Sequence, residues 1–225
     1  MTKHGIDISK WQGEIDFAKV KDQVDFIILR AGFGKFATQK DERFEQYYAE
    51  CQKYGIPCGA YWYGYAATEK DAKEEANACL ECIKNKTFQY PVYYDVEEKA
   101  MLGSGNIDNI ISAFCKSLEA AKVFAGLYMS RSPLMAYVSL TVRNRFALWV
   151  AEYGSKCNYN GDYGMWQKSS EGRIDGINGN VDLDVCYIDY PSIIKGSAPA
   201  DAVKKTIKVE LEIDDHKYSG LLTEN

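Results

Sequence analysis

The sequence predicts an α/β protein: a β/α barrel of about eight strands whose helices are missing in the second half, followed by a C-terminal β-hairpin. Three observations predict it. Apolar strand-like runs alternate with helical stretches through the first two-thirds of the chain. Those strands are apolar on both faces, the mark of a parallel sheet, and recur at roughly the 30-residue spacing of a βαβ unit. After Met129 the gaps between strand-like runs hold Gly, Asn and Asp instead of helix. A doubly wound sheet is the alternative, because nothing in the pattern proves closure.

The elements follow in order. Ile6–Ile8 reads as a short strand, Phe17–Val24 as helical and Phe26–Arg30 as a continuous apolar strand. A helix is expected from Asp41 to Tyr54, where Phe44, Tyr47, Tyr48 and Cys51 recur at helical spacing; Gly55 and Pro57 end it. Cys58–Tyr65 is the third strand. Thr68 is placed to cap a helix running to Asn85. Pro91–Glu97 is the fourth strand, Ile107–Lys122 the next helix and Phe124–Met129 the fifth strand. Ser130 and Ser132 precede a short helix over Pro133–Leu140. Phe146–Ala151, Tyr163–Gln167 and Val181–Ile188 complete the barrel strands. The barrel is therefore assigned to residues 1–195, a Gly/Ser/Pro/Ala linker to 196–204 and a hairpin appendage to 205–225. In the appendage, Thr206–Ile213 alternates strictly and Asp214–Lys217 supplies a turn before Tyr218–Thr223. A lone hairpin is marginal in water. It must pack on the barrel, self-associate, or belong to a larger module.

At 225 residues the chain can hold one sizeable core, and its 46% hydrophobic and 26% charged content is ordinary for a globular protein. The net charge is −5 and no long Lys/Arg run appears, which argues against nucleic acid as a partner. The seven cysteines are odd in number and mostly lie in apolar runs, so they read as buried thiols. Cys79 and Cys82 have the spacing of a metal or redox motif, but they fall in a helical stretch without a second pair or a neighbouring His. His4 and His216 are the only histidines, one near each end, which disfavours a Ser-His-Asp or Cys-His centre. The opening residues lack an apolar signal core, and no run is long enough to span a membrane. Synthesis in the cytoplasm without membrane insertion is the expectation. Action outside would then need release by another component, or a signal removed from the sequence.

Chemistry gathers at Tyr93-Tyr94-Asp95-Val96-Glu97. Strand side chains alternate faces, so Asp95 and Glu97 should project from one side with Cα atoms roughly 6.5–7 Å apart. Like charges that close raise one pKa, leaving an acid for neutral pH. Glycoside hydrolysis needs such a pair; the bland alternative is two acids facing water at a strand end. In parallel barrels functional side chains stand at the C-terminal ends of strands. The eight mouths offer Asp7 with Ser9, Trp11 and Gln12; Arg30; Tyr61 and Tyr63; Asp95 and Glu97; Tyr128; Glu152; Trp166 and Gln167; Asp182 and Asp184. Arg30 is as easily a counter-charge to Asp7 or Asp95 as a substrate contact, and Glu152 is set aside. Seventeen Tyr and four Trp suit a cleft that stacks on sugars, although Tyr is common in cores as well.

These residues carry a resemblance. Gly5-Ile6-Asp7-Ile8-Ser9-Lys10-Trp11-Gln12-Gly13, Asp95-Val96-Glu97, Trp166-Gln167 and Asn180-Val181-Asp182-Leu183-Asp184 resemble, in order and spacing, the motifs of glycoside hydrolase family 25, the Chalaropsis-type muramidases. The resemblance covers about residues 4 to 191. It implies a flattened barrel and cleavage of the β-1,4 bond between N-acetylmuramic acid and N-acetylglucosamine in peptidoglycan. By position, Glu97 matches the family's general acid/base, Asp95 the neighbouring carboxylate, and Asp7 and Asp182 the other acids of the cleft. Tyr61, Tyr63, Tyr128, Trp166, Gln167 and Arg30 would contact the glycan, and no metal or cofactor is required. Two rivals are a related barrel chitinase and a non-catalytic wall-binding module. The chitinase series D-x-x-D-x-D-x-E is absent, since Tyr93 stands where a further Asp would be. Intact Asp95 and Glu97 argue against the second.

Overall fold

The computed structural model describes residues 2–197 and, as backbone, 206–213 and 216–223. Among the described residues, eight strands close into a barrel in sequence order: β1 (Lys3–Ile8), β2 (Phe26–Phe33), β3 (Cys58–Tyr63), β4 (Val92–Asp95), β5 (Ala125–Ser130), β6 (Ala147–Ala151), β7 (Met165–Gly172) and β8 (Val181–Cys186). Closure excludes the doubly wound alternative. The helices α1 (Phe17–Val20), α2 (Phe44–Tyr54), α3 (Glu69–Cys82), α4 (Lys99–Leu102), α5 (Ile107–Ala120), α6 (Arg131–Tyr137) and α7 (Leu140–Arg143) all precede β6, and α8 (Tyr190–Ser197) follows β8. No described helix is long and apolar enough to cross a membrane. Local chemistry places the ends: Thr68 Oγ1 accepts from Asp71 N at 3.1 Å to cap α3, and Gly55 closes α2 in the left-handed conformation at φ 66°.

Period-two alternation divides each strand between two cores. Ile6 and Ile8, Ile27 and Leu29, Val92 and Tyr94, Leu127 and Met129, and Leu148 and Val150 face outward into the apolar layer shared with the helices. Inside the barrel lie Phe26, Ile28, Tyr93, Tyr128, Trp149 and Met165, with Tyr90 and Tyr190 beside them. The base is plugged by rings: Phe26 stacks on Tyr90 with centroids 4.4 Å apart, and Tyr90 meets Tyr190 edge-on at 6.0 Å. Above them Trp149 packs against Tyr93 at 5.1 Å and Tyr128 at 4.4 Å. Each such side chain, once buried, contributes about 1.5–3 kcal/mol. Two residues further along β2, β4 and β7, the inward position turns polar, to Arg30, Asp95 and Gln167. That switch makes an aromatic floor under a polar mouth.

The structure departs from the sequence reading in four places. β8 is antiparallel to both neighbours, β7 and β1. The connection 173–180 is too short for a crossover helix, so β7 and β8 form a hairpin. Consequently Asp182 reaches the mouth from the start of its strand, and Asp184 lies deeper. β4 ends at Asp95, although inward alternation persists past it, with Val96 fully buried outside the barrel and Glu97 on the cleft side. α8 was not anticipated; it sets Tyr190 under the barrel and runs into the first two residues of the expected linker, while 198–204 lie outside the described residues. Thr206–Ile213 and His216–Thr223 pair antiparallel, two residues earlier in the second strand than the sequence suggested.

Gly126 lets the layers interlock. A Cβ there would press on the Tyr93 ring and come within 2.8 Å of the Ala147 carbonyl. Gly126→Ala should lower unfolding free energy by about 1–3 kcal/mol, read as a shift in the urea midpoint at unchanged slope.

Candidate active site

The polar mouth opens into a cleft of about 250 Å³. β1 contributes Asp7, and the residues after it contribute Ser9, Trp11 and Gln12. Gln12 Oε1 accepts from the Ser9 backbone N–H at 2.9 Å, closing a capped turn that carries Trp11 to the rim, where it is 75% exposed. Arg30, Tyr61 and Tyr63, Asp95 and Glu97, Tyr128, Gln167 and Asp182 complete the wall with Trp149 and Tyr153. Asp7 and Asp95 are buried, at 4% and 5% exposure, whereas Glu97 is exposed. A group that gives a proton to a ligand must be reachable, and Glu97 is.

Hydrogen bonds hold the acids from beneath. Gln167 Nε2 donates to Asp7 Oδ2 at 2.7 Å, and Gln167 Oε1 accepts from the Tyr128 hydroxyl at 2.8 Å and the Tyr153 hydroxyl at 3.3 Å. Trp149 Nε1 donates to Asp184 Oδ1 at 2.9 Å. Two buried carboxylate oxygens, Asp95 Oδ1 and Asp184 Oδ2, have no hydrogen-bond partner. Arg30 is committed to Asp41, at 2.6 Å, and not to Asp7 or Asp95. Its charge nevertheless opposes the upward shift of Asp95.

Crowded acids out of water favour their neutral forms. Burial pushes Asp7 well above the ordinary aspartate range, and the charges of Asp184 and Asp182 push it further. Burial raises Asp184 likewise, against the Trp149 N–H that favours its anion. The mutual influence of Asp7 and Asp184 favours the neutral form of one of them. Asp95 is raised by burial and then by Glu97. Glu97 is raised by loss of water, then by Asp182 and Glu98, with the Tyr128 hydroxyl pulling it down. Within the Asp95–Glu97 pair the raised group is Asp95; Glu97 is raised by burial, as its place in the cleft implies, and then by Asp182 and Glu98.

Of the residues singled out from sequence, Asp7, Asp95, Glu97, Asp182, Arg30, Tyr61, Tyr63, Tyr128 and Gln167 share this cleft. Trp166 does not. It is the outward member of the β7 alternation between Met165 and Gln167, and its indole N–H donates to the Glu152 carbonyl at 2.8 Å. The buried indole of the cleft is Trp149, missed although period two in Ala147–Ala151 sets it opposite Leu148 and Val150. Tyr153, beyond the strand end, gave no periodic signal. The Cys79 and Cys82 thiols are buried on α3.

Comparison with known proteins matches the sequence to a family. A sequence model described as "Glycosyl hydrolases family 25" covers residues 6–177. The modular autolysin LytC of Streptococcus pneumoniae, solved in complex with a synthetic peptidoglycan ligand, is 31% identical with a TM-score of 0.73; the match covers 83% of this chain and 47% of that one. The catalytic domain of endolysin ply40 from bacteriophage P40 of Listeria monocytogenes is 29% identical with a TM-score of 0.74, over 87% of this chain and 98% of that one. The autolytic lysozyme of Clostridium acetobutylicum is 29% identical over 182 residues, 80% of this chain and 54% of the relative. The chain thus spans about half the length of the two autolytic relatives.

The buried acids make stability depend on pH with a definite sign. Their folded pKa values lie above the unfolded value of about 3.9. The folded state therefore holds more protons, and stability present below that pH is lost as pH rises through the folded values. Asp184→Asn keeps an acceptor for Trp149 and removes one such group. Its stability relative to the parent should be greater at pH 8 than at pH 5 in urea unfolding; an equal difference at both would contradict the assignment.

Proposed function

The chain belongs to glycosyl hydrolases family 25, and from that premise we propose that it hydrolyses the β-1,4 bond between N-acetylmuramic acid and N-acetylglucosamine in peptidoglycan. The observation that carries this reading is the meeting of Asp7, Asp95, Glu97 and Asp182 in one cleft, with only the last two reaching solvent. The peptidoglycan ligand of the pneumococcal autolysin and the lytic names of the other relatives support the substrate class.

In the proposed reaction Glu97 is the general acid. The substrate's 2-acetamido oxygen attacks the anomeric carbon as the glycosidic bond breaks, and Glu97 gives its proton to the leaving oxygen. Glu97, now a carboxylate, takes a proton from water, which attacks the same carbon, reopens the ring formed by the acetamido group and restores the anomeric configuration. Asp95, which lines the cleft with 5% of its surface exposed, orients the acetamido group. Direct attack by Asp95 is the second reading, and burial disfavours the free anion it requires. Asp182, the less buried of the two remaining acids, supplies negative potential towards the positive charge that develops on the sugar, and Asp7, held by Gln167, shapes the wall beneath it. Tyr61, Tyr63, Tyr128, Gln167 and Arg30 would shape the subsite.

We further propose action at the bacterial cell wall, and a division into the barrel and an appendage at 205–225 that can self-associate. Peptidoglycan digested by the protein should yield fragments with muramic acid at the reducing end by mass spectrometry; reducing-end glucosamine would identify a different hydrolase. Glu97→Gln should lower lysis at least 10³-fold, of the order lost when an essential proton donor is removed, with unchanged circular dichroism. Because Asp182 raises Glu97, Asp182→Asn should move the alkaline limb of the kcat/KM profile to lower pH, whatever it does to the maximum.

A further inference from the structure

A second basin opens beside the cleft, and nothing in the proposed reaction uses it. It measures about 260 Å³, the size of the cleft itself, and is walled by Ser130, Arg131, Ser132, Ala151, Glu152 and Tyr153. Tyr153 lines both hollows, so the two are neighbours across one side chain. Ser130 ends β5 and Ala151 ends β6, which puts the basin at the mouth where the acids stand.

Its chemistry differs from that of the cleft. The Arg131 guanidinium pairs through Nε with Glu152 at 2.8 Å, and its side chain remains 34% exposed. Glu152 is itself fixed by the backbone and side-chain amides of Asn158 at 2.5 and 2.9 Å, so it anchors the plane of the guanidinium. Among the described residues, the hydrogen-bond acceptor of the terminal Arg131 nitrogens is Met135 Sδ at 3.7 Å, a weak one. Neither the Ser130 nor the Ser132 hydroxyl has a side-chain partner among the described residues. A held guanidinium with unspent N–H groups, flanked by two free hydroxyls, is suited to receive a carboxylate by paired hydrogen bonds. The Arg131–Glu152 pair is neutral overall, so recognition would come from donor geometry more than from long-range field.

Resting on the muramidase reading above, we infer that this basin is a subsite for the peptide stem carried on muramic acid, with Arg131 holding a stem carboxylate. A linear glycan has no carboxylate of its own except through the lactyl branch of muramic acid, and because Tyr153 lines both hollows a branch directed to that side of the cleft would enter the basin. The subsite would make the protein read substituted glycan in preference to bare chains.

The test compares soluble glycan chains bearing peptide stems with the same chains after amidase treatment, which removes the peptides and leaves only the lactyl acid. The ratio of kcat/KM for the two substrates is measured for the parent, Arg131→Gln and Arg131→Lys. The parent should favour stem-bearing chains. Arg131→Gln should lower the ratio about tenfold, a loss of the size of one charge-assisted hydrogen bond. Arg131→Lys, which keeps the charge without the fork and serves if the first variant fails to fold, should lower it less. An unchanged ratio overturns the inference, and a raised ratio overturns it in favour of the lactyl carboxylate as the group held. If the parent cleaves neither substrate, the muramidase reading itself has failed, an outcome distinct from either.

Discussion

The structure depends on keeping several carboxyl groups close together with little water between them. Asp7 and Asp184 sit directly on the aromatic floor, held by Gln167 and Trp149, and Asp95 faces the same mouth with an orphan oxygen. Each lone anion there would cost several kcal/mol to desolvate, so the cluster retains protons instead. Glu97 escapes the full constraint because β4 stops at Asp95 and leaves the glutamate at the cleft wall, partly desolvated but reachable. One geometric feature thus separates a buried acid that orients from an exposed acid that can exchange protons.

The scaffold is organised to bear that load. The β-strand period assigns alternate residues to the helix-facing layer and to the interior, and the interior row of each strand passes from ring to polar group towards the mouth. Phe26, Tyr90 and Tyr190 seal the base; Tyr93, Trp149 and Tyr128 form the next tier; the acids lie on top. Packed rings give fixed positions for hydrogen-bond donors such as the Trp149 indole, and these donors in turn fix the acids. The absence of described helices between β6 and β8 has a related consequence: with a short 173–180 connection, β8 returns antiparallel and brings Asp182 to the mouth at its first turn of chain.

Much of this was readable from residues alone. Apolar runs and helical spacing located β2 to β6 and their helices, because both periodicities are local. The D-x-E pair and the Asp7 and Asp182 motifs located the acids, since strand ends in such barrels converge. What was missed is long-range. The direction of β8 depends on the length of a connection, α8 on a tyrosine plugging the far end of the barrel, and the Arg30–Asp41 pair on contact between β2 and the segment before α2. Trp166 and Trp149 were exchanged for a simpler reason: both lie in apolar strands, and only the register against neighbours says which indole points inward.

The central claim is that Glu97 keeps its proton to higher pH than an ordinary glutamate because Asp182, Glu98 and lost water disfavour its charge. Carboxyl carbon chemical shifts of ¹³C-labelled protein, with the Glu97 resonance identified by its absence in the Gln variant, read this directly. A titration midpoint above the ordinary value of about 4.3 is the result expected. A midpoint at or below it would mean that the glutamate is solvated like any surface acid, and the account of this site would not survive.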